Sequence, residues 1–396
     1  MEMKTYKIGD LYTVSNGLSK GKDFFGQGYP FLTFSEVMNN FFVPKTLKSL
    51  VQTEDKERVK FSIQRGDIFL NRTSETADEL GISCVALKDY PNATFNGFCK
   101  RLRPISEEVA PEYIGYYLRT NAFRKHMSAL SGNMITRASL RNEQLLSIEI
   151  ELPSKEVQLK IANILRQYDL MIDNCTQQIA LLEEAAQRLY REWFVNLRFP
   201  DYETTPIDEN GLPKGWDRVP LTNMANVRYG YAFDGKKFNS LGHGFPILRI
   251  RNIPESFTTD YTTETASDRY IISQGDIVVG MDGEFHINSW ADRKAYLVQR
   301  TCAIDPIEES DRGYLYMAIR EPIKFFEKTL TGATVAHLGK KHLDSIEIII
   351  PPKSLREFFA NYYNERLAQM VKVRNLSRIR DLLLPHLVSG QIEINA

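Results

Sequence analysis

Two long stretches of the chain carry apolar residues at the three- and four-residue spacing of an amphipathic helix. In the first, apolar side chains recur from Val157 to Trp193 in alternating steps, with one extra step of four after Cys175. This pattern is typical of a coiled-coil seam that contains one stutter. Neither glycine nor proline occurs between Pro153 and Pro200. We therefore predict a single helix of about 55–60 Å at 1.5 Å per residue.

The second stretch lies near the end of the chain, where apolar positions run from Leu355 to Leu383 and Pro385 is predicted to end the helix. Two such helices in one chain most simply pack on each other, although each could pack on its own globular domain instead. The lengths and heptad pattern favour mutual pairing. The positions expected to form the seam or a partner surface are Ile161, Ile164, Tyr168, Met171, Leu182, Leu189, Trp193, Phe194, Phe359, Leu367, Met370 and Leu383.

Trp193 and Phe194 close the first helical stretch. They could form a docking spot for a partner, or they could cap the core between the helices, which is at least as common a use of such aromatic residues.

Short β-like runs, broken by Gly, Pro and Asn, fill the rest of the chain, and three of them occur twice in the same order. The run "YPFLTFSEV" returns as "FPILRIRNI", "QRGDIFLNRT" returns as "SQGDIVVGMD", and "SIEIELP" returns as "SIEIIIP". The period is far longer than that of a solenoid. The chain is therefore predicted to be an internal duplication of a whole unit.

Each unit also contains a helical stretch, at residues 111–130 and 312–330, and Pro322 is expected to interrupt the second. The predicted organisation is a first α/β domain at residues 1–152, a helix at 153–199, a Pro/Gly-rich linker at 200–216, a second domain at 217–350, and a helix with a tail at 351–396.

Composition narrows the function further. The 50 basic and 50 acidic residues balance, which argues against strong sequence-independent DNA binding by this chain alone but leaves room for a local basic face. The four cysteines are scattered, so buried structural thiols are expected, with neither zinc nor a disulfide framework. The start of the chain has no signal-peptide pattern and no stretch is long enough to span a membrane, so we expect a cytoplasmic protein.

Motifs for catalysis are missing from the sequence. It has no Walker loop, no HExxH and no nucleophile elbow. No catalytic or metal-binding residue is predicted, and the pattern favours a binding scaffold over a stand-alone enzyme.

The segments "LPSKEVQLKIANILRQYDLMIDNCTQQIALLEEAAQRLYREWF" and "LLLPHLVSGQI" closely resemble the central and C-terminal conserved regions of the specificity subunits of type I restriction-modification enzymes. The "GDI" strands and the "SIEI" junctions resemble the target recognition domains of that family. Two helix starts depart from its pattern. Residues 155–158 read Lys-Glu-Val-Gln, where two acidic residues before the Gln are usual, and residues 354–357 contain no Gln.

The resemblance implies an α+β fold, with two globular α/β target recognition domains joined by two long antiparallel coiled-coil helices in a pseudo-two-fold repeat. Each domain would read one half of a bipartite double-stranded DNA motif, and the helices would act as a ruler of about 16–18 base pairs. Methyltransferase subunits with S-adenosylmethionine, and an ATP-dependent restriction subunit with Mg²⁺, would supply the chemistry. This chain would contribute specificity without catalysis.

Base reading needs polar side chains on loops, and phosphate contact needs Lys, Arg and small hydroxyls. The first-unit candidates for DNA binding are Lys20, Lys22, Asn71, Arg72, Thr73, Ser74, Asn133, Thr136, Arg137 and Arg141. The second-unit candidates are Arg228, Tyr229, Tyr231, Lys236, Lys237, Arg249, Arg251, Asn252, Thr334, His337, Lys340 and Lys341. The alternatives left open are a DNA-recognition adaptor of another phage-defence system, and a coiled-coil interaction scaffold with no DNA role.

Overall fold

The structure is a computed structural model that describes residues 2–74, 79–130, 138–330, 336–392 and 394. The chain forms two compact units. The first unit contains residues 1–169 and 378–396, and the second contains residues 170–377. The helices are α1 Ile8–Leu11, α2 Phe34–Asn39, α3 Asp55–Lys60, α4 Pro111–Tyr117, α5 Asn121–Leu130, α6 Asn142–Leu146, α7 Lys155–Tyr190, α8 Arg312–Ala318, α9 Arg320–Thr329, α10 Lys340–Asp344 and α11 Lys353–Val388.

The strands are shorter than the long helices and divide evenly between the halves of the chain. In the first half they are β1 Met3–Lys7, β2 Tyr12–Asn16, β3 Phe25–Leu32, β4 Leu50–Val51, β5 Ile68–Asn71, β6 Thr73–Ser74, β7 Ser83–Val85, β8 Thr94–Phe95, β9 Cys99–Pro104, β10 Ala138–Ser139 and β11 Glu149–Pro153. In the second half they are β12 Asp217–Pro220, β13 Ala225–Tyr229, β14 Phe238–Asn239, β15 Phe245–Leu248, β16 Tyr261–Thr262, β17 Ile271–Ile272, β18 Ile277–Gly280, β19 Ile287–Ser289, β20 Ala295–Leu297, β21 Thr301–Pro306 and β22 Glu347–Ile350.

Both units repeat one topology. The first contains an antiparallel sheet of order β2-β9-β5-β7, and the second contains an antiparallel sheet of order β13-β21-β18-β19. Each unit also has a parallel strand pair, β3 with β8 and β15 with β20. The predicted internal duplication is confirmed, because equivalent strands occupy equivalent places in both sheets.

The repeated "GDI" sequence forms a turn that starts the central strand of this sheet. Gly66 and Gly275 adopt positive φ values of 88° and 94°, which an L side chain rarely adopts. The following Asp67 carboxylate accepts the Gln64 backbone N–H at 2.7 Å, and Asp276 accepts that of Ser273 at 2.9 Å. Glycine and aspartate are therefore both needed to close the turn.

The repeated "SIEI" strand ties the end of each unit to its beginning. Strand β11 pairs antiparallel with β1, and β22 pairs in the same way with β12. Residues at alternate positions are buried, such as Ile150 and Leu152 in the first unit, as expected for a strand with one face on a core. The chain then passes directly into a long helix in both units.

The helical stretches predicted at residues 111–130 and 312–330 are each two helices, not one. The first unit breaks between α4 and α5 without any proline at the break, so Pro322 is not the cause of the interruption. Instead, Pro322 occupies the first turn of α9, where its missing N–H would have no partner within the helix.

In the first unit, the beginning of α7 packs against the end of α11. Ile161 and Leu165 share a buried core with Leu384 and Leu387. The same core includes Tyr113 of α4, so both predicted packing modes occur together: helix on helix and helix on globular domain. Helix α11 continues to Val388, three residues past Pro385, so the prediction that this proline ends the helix was wrong.

In the second unit, the order is reversed, and the end of α7 packs against the beginning of α11. Ala186 of α7, and Phe194 of the helical turn Arg191–Val195 that follows it, share a core with Phe359 and Tyr363. The two helices therefore run antiparallel in both units. The aromatic rings of Phe194 and Phe359 lie 5.6 Å apart between centroids, which supports the core-capping interpretation of the residues at the end of α7.

Several predicted seam residues face solvent instead of the core. Ile164 is 37% exposed and Met171 is 41% exposed, while Leu165 beside the first is fully buried. The seam residues Tyr168, Leu182, Leu189, Trp193, Leu367, Met370 and Leu383 are half-buried. Residues spaced by a seven-residue repeat therefore drift gradually around the helix, as expected because a straight α-helix has 3.6 residues per turn and not 3.5.

A buried polar side chain fastens the start of each long helix to its domain. In the first unit, Gln158 accepts the Ala110 N–H at 2.9 Å and donates to the carbonyls of Glu108 and Pro153, each at 2.9 Å. In the second unit, Arg356 takes its place. Its Nε donates to the Pro351 carbonyl at 3.1 Å.

The Arg356 guanidinium also pairs with Asp311, which directly precedes α8 as Ala110 directly precedes α4. The absence of a glutamine at the second helix start is therefore compensated within the unit, because the arginine reaches the equivalent backbone carbonyl.

Replacing Gln158 with Leu should lower the free energy of unfolding by about 2–3 kcal/mol, because it leaves the Ala110 N–H and two carbonyls without their partner in a buried place. Gln177→Leu, at an exposed position on the same helix, should change it by less than about 0.5 kcal/mol. Denaturant titration of the full chain measures both values. Equal effects of the two substitutions would contradict the fastening role of Gln158.

Gly313 of α8 lies directly against the backbone of α11, where an added Cβ would meet Phe359 and lie 2.8 Å from the Ala360 nitrogen. Gly313→Ala should therefore destabilise the protein by about 1–3 kcal/mol, although glycine to alanine in an open helix is stabilising by up to about 1 kcal/mol. Gly235→Ala, where a Cβ meets nothing within 4 Å, is the control. A stabilising effect at position 313 would show that the helices do not pack this closely.

Candidate nucleic-acid interface

The segment after the "GDI" strand and the segment before the "SIEI" strand lie side by side in each unit. In the first unit, β6 pairs with β10, and the Leu140 N–H donates to the Arg72 carbonyl at 2.9 Å. In the second, the Gly283 N–H donates to the Ala336 carbonyl at 3.0 Å, and the Leu338 N–H donates to the Met281 carbonyl at 2.7 Å. Two loop groups that are distant in sequence thus form one surface.

Four of the predicted DNA-binding residues fall outside the described residues: Asn133, Thr136, Arg137 and Thr334. Arg141 is described and exposed, immediately before α6. The first-unit surface is therefore defined by the segment after β5 and by Arg141.

Asn71 is a framework residue in this conformation. Its side chain is fully buried, and its Oδ1 accepts the Ile82 N–H at 2.7 Å. Ser74 is also buried and donates to Glu79 at 3.2 Å, whereas Arg72 and Thr73 are half-buried. Within this group, Arg72 and Thr73 are thus the side chains best placed to meet a ligand.

Lys100 is a cation that sequence reasoning did not single out. It lies beneath the same surface, only 6% exposed, with its Nζ 3.1 Å from the Asn16 Oδ1. Burial, and then the positive charge of Arg72, lower the pKa of Lys100. Lys100 and Arg72 are therefore neighbouring cations at the first-unit surface, and a bound phosphate would reduce their mutual repulsion.

The lysines of the glycine-rich loop differ in their environment. Lys20 forms an ion pair with Glu57 at 2.7 Å and lies 4.9 Å from the Phe24 ring centroid, while Lys22 is exposed. Beside them, the rings of Phe24 and Phe25 are 43% and 40% exposed. Sequence reasoning missed these two exposed rings because their sequence carries no motif.

Arg228 forms part of the sheet framework. Its guanidinium binds Asp305 through two hydrogen bonds of 2.8 and 2.9 Å and lies 3.2 Å from Asp276 of the "GDI" turn. The hydrogen bond that Arg228 donates to Asp305 raises the pKa of Arg228. The first unit has a similar pair, in which Arg103 binds Asp67 at 2.6 Å, so the turn carboxylate is anchored by an arginine in both units.

Tyr229 and Tyr231 follow Arg228 on the same strand and the loop after it. Burial raises the pKa of Tyr229 to about 12. The ring of Tyr231 is half-buried and lies 4.8 Å from Phe233 and 5.1 Å from Tyr270, between centroids. Tyr231 therefore belongs to an aromatic cluster at the end of this strand.

His337, Asp282 and Arg300 form a polar cluster on the loop surface of the second unit. The His337 Nδ1 lies 2.6 Å from the Asp282 Oδ1 and 3.1 Å from the Arg300 Nη1. Arg300 was not predicted, yet its positive φ of 74° marks a turn that projects it here. Lys340 and Lys341, three and four residues after the histidine, are exposed.

The remaining second-unit candidates occupy other loops. Lys236 and Lys237 are exposed, and Lys237 lies 4.0 Å from Glu264. Arg251 pairs with Asp260 at 2.5 Å. Asn252 accepts the Arg249 N–H at 2.8 Å, so this asparagine stabilises its own turn.

Across the described part of the chain, no group of three or more His, Cys, Asp or Glu side chains could hold a metal ion. All four cysteines are buried, as predicted, and none is in a disulfide. Burial raises the pKa of the Cys99 thiol to about 12. Within the same residues, no helix is both long and apolar enough to cross a membrane.

Comparison with known proteins assigns the chain to a family. The model of the family described as "Type I restriction modification DNA specificity domain" matches residues 1–184 and 213–363. The specificity subunit of the type I restriction enzyme MjaIX of Methanocaldococcus jannaschii is 24% identical over 99% of this chain and 93% of that protein. The HindI specificity subunit of Haemophilus influenzae is 22% identical over 99% of this chain and 100% of its own length.

A solved structure shows the same fold. The crystal structure of the type I restriction-modification system S subunit from M. genitalium aligns with a TM-score of 0.56 and 15% identity, covering 100% of this chain and 97% of the other. The family match covers both repeated domains, most of α7 and the beginning of α11. The chain therefore belongs to the family of type I restriction-modification DNA specificity proteins.

Proposed function

We propose that this chain is the subunit that selects the DNA sequence in a type I restriction-modification complex, with each unit reading one half of a bipartite double-stranded motif. The observation that carries the proposal is the loop surface, built twice on one framework. In both units the segment after the "GDI" strand pairs with the segment before the "SIEI" strand. The framework residues repeat, whereas the exposed side chains differ, as two different half-sites require.

The polar groups at these surfaces suit DNA. The second unit presents His337 and Arg300 beside exposed Lys340 and Lys341. His337 and Arg300 could form hydrogen bonds with the edges of bases, and the two lysines could bind phosphates. Because the whole chain has balanced charge, most of its affinity for DNA would come from these local surfaces and from partner subunits.

The long helices would set the distance between the half-sites. Helix α7 contains 36 residues, about 54 Å at 1.5 Å per residue, which matches about 16 base pairs at 3.4 Å each.

Methyltransferase subunits would dock along the helices, next to the domains. Each unit offers one groove for this. The groove of the second unit, of about 450 Å³, is lined by the end of α7 and by α8 and α9, together with Phe285 and Ile287. The groove of the first unit, of about 420 Å³, is lined by the end of α11 and the α4–α5 region, together with Met3 and Glu151. One groove in each unit suits two copies of one partner.

Chemistry would reside on the partners. The methyltransferase subunits would bind S-adenosylmethionine, and an ATP-dependent restriction subunit would use ATP and Mg²⁺. This cytoplasmic chain would supply specificity without catalysis. A related adaptor role in another phage-defence system would use the same surfaces and differ in the neighbouring genes.

Lys340→Ala combined with Lys341→Ala should weaken binding to DNA that carries the motif about 10-fold, in the presence of the methyltransferase subunit. The slope of log affinity against log salt should fall by about two, because two phosphate contacts are lost. Lys4→Ala with Lys214→Ala, also exposed but part of neither the loop surface nor the two grooves, should leave affinity and slope unchanged. Fluorescence anisotropy at several salt concentrations measures both. If both double variants behave alike, this loop surface does not contact phosphate.

Deleting residues 171–174 together with residues 375–378 should shorten the gap in the methylated motif by about 2 base pairs. Each deletion removes one four-residue step of about 6 Å, and a base pair rises about 3.4 Å. Both helices are shortened at facing positions, so the contacts on either side of the deletions keep their register. The readout is the methylated motif mapped in cells with the gene, with the deletion and without the gene.

The same maps test the function itself. Loss of one bipartite methylated motif in cells without the gene is the expected result. An unchanged methylation map would refute DNA selection, whereas a motif that keeps its gap in the deletion variant would refute only the ruler.

A further inference from the structure

Two ion pairs join α7 to α11, one in each unit. In the first unit, Asp169 Oδ1 lies 2.7 Å from Arg380 Nη1. In the second, Glu183 Oε2 lies 3.3 Å from Arg366 Nε. The four side chains are 8–24% exposed. At this burial, water screens charge only partly, so the sign of each partner matters more than in a surface pair.

The two pairs join the same two positions of the duplicated helices. Both helices contain 36 residues, starting at Lys155 and at Lys353. Asp169 lies 14 residues after its helix start and Arg366 lies 13 after its own; Glu183 lies 28 after and Arg380 lies 27 after. The repeat would allow each helix to carry one acid and one base at these positions. Instead, α7 carries both acids and α11 carries both bases.

Neighbouring groups hold each charge in place in the first unit. The Tyr116 hydroxyl donates to Asp169, and the Arg380 guanidinium lies 5.0 Å from the Phe41 ring centroid. These partners fit an acid on α7 and a cation on α11.

The second unit holds its charges with a different set of groups. Arg366 donates to Asn288 at 2.8 Å and to Ser289 at 3.1 Å, and Arg320 lies 2.6 Å from Glu183. Since the surroundings differ but the charge distribution over the two helices is the same, the polarity is a property of the helix pair.

We propose that this polarity specifies which helices pair, so that α7 binds α11 and pairing of like helices between two copies of the chain is disfavoured. In the same antiparallel register, α7 on a second α7 would place Asp169 against Glu183 at two sites. A second α11 on α11 would place Arg366 against Arg380, also twice. Like charges at a partly buried contact are a known means of excluding wrong partners.

The duplication creates the need for such a device. The two helices have equal length, start from the same strand junction and lie on equivalent domains. Helices this similar can also pair with their own copy in a second chain, which would join two chains into a dimer. The apolar seam alone gives little discrimination, because both helices present large aliphatic and aromatic residues to it.

Reversing one ion pair tests the proposal, because it keeps the pairing within the chain and makes each helix complementary to itself. The variant D169R/R380D retains opposite charges between α7 and α11, yet each helix then carries one acid and one base. The matched control, D169R/R380D/E183R/R366E, reverses both pairs and restores like charges within each helix. Full-length proteins are refolded from denaturant over a range of concentrations, and the dimer fraction is measured by light scattering after gel filtration.

The wild type and the fourfold variant should refold as monomers. D169R/R380D should give a dimer fraction at least several-fold higher, increasing with protein concentration. E183R/R366E has the same self-complementary helices and should do the same, which keeps the test decisive if the first variant does not fold. Equal dimer fractions in a folded single-pair variant, the fourfold variant and the wild type would overturn the proposal. Dimers in all reversed variants alike would overturn it too, since they would reflect lost stability instead of charge order.

Discussion

Each globular domain of this protein needs the far helix of the other half-chain to complete its core. In the first unit, Leu384 and Leu387 of α11 cover the same apolar cluster as Ile161 and Leu165 of α7. In the second, Ala186 and Phe194 from the end of the α7 segment cover the cluster around Phe359. Burying one such large side chain is worth about 1.5–3 kcal/mol. Neither repeat is therefore self-sufficient, and the antiparallel helix pair is part of both domains.

This dependence explains why the junctions between domain and helix are so closely fixed. The "SIEI" strand pairs with the first strand of its unit, so the helix begins at a defined edge of the domain. Gln158 or Arg356 then binds the backbone on either side of that edge. A helix that left the domain at another angle would lift its apolar stripe from the core, and these buried polar contacts would lose their partners.

The sequence predicted the duplication, the order of its strands and the two long helices, because these depend on local patterns that recur. It did not predict that residues 111–130 form two helices, since the break occurs at a non-proline position set by tertiary packing. Asn71 and Arg228 look like ligand-binding residues in sequence, being polar residues next to strands. In the structure, both make hydrogen bonds within the sheet framework instead. A polar side chain next to a strand can stabilise a turn or a neighbouring strand as readily as it can bind a ligand.

Individual polar contacts between residues far apart in sequence could not be predicted, although the packing of the two long helices on each other could. The cluster of Asp282, Arg300 and His337 joins three separate segments, and neither spacing nor composition relates them. The interhelical ion pairs join residues more than 180 positions apart. In both cases a residue's role depends on what the topology places opposite it, which a one-dimensional pattern of polarity does not encode.

The separation of framework from loops has a consequence for how such a chain can change. Framework positions such as Asp67 and Asp276 make the same turn contact in both units, so a substitution there would disturb the sheet on which the loops stand. The loop residues bind mainly to one another, as His337 does to Asp282, and their exchange leaves the turn, the strand pairing and the helix start intact. Under the proposed function, a new half-site could therefore be acquired in one unit without altering the other, because both units require the same core and differ only in the surface above it.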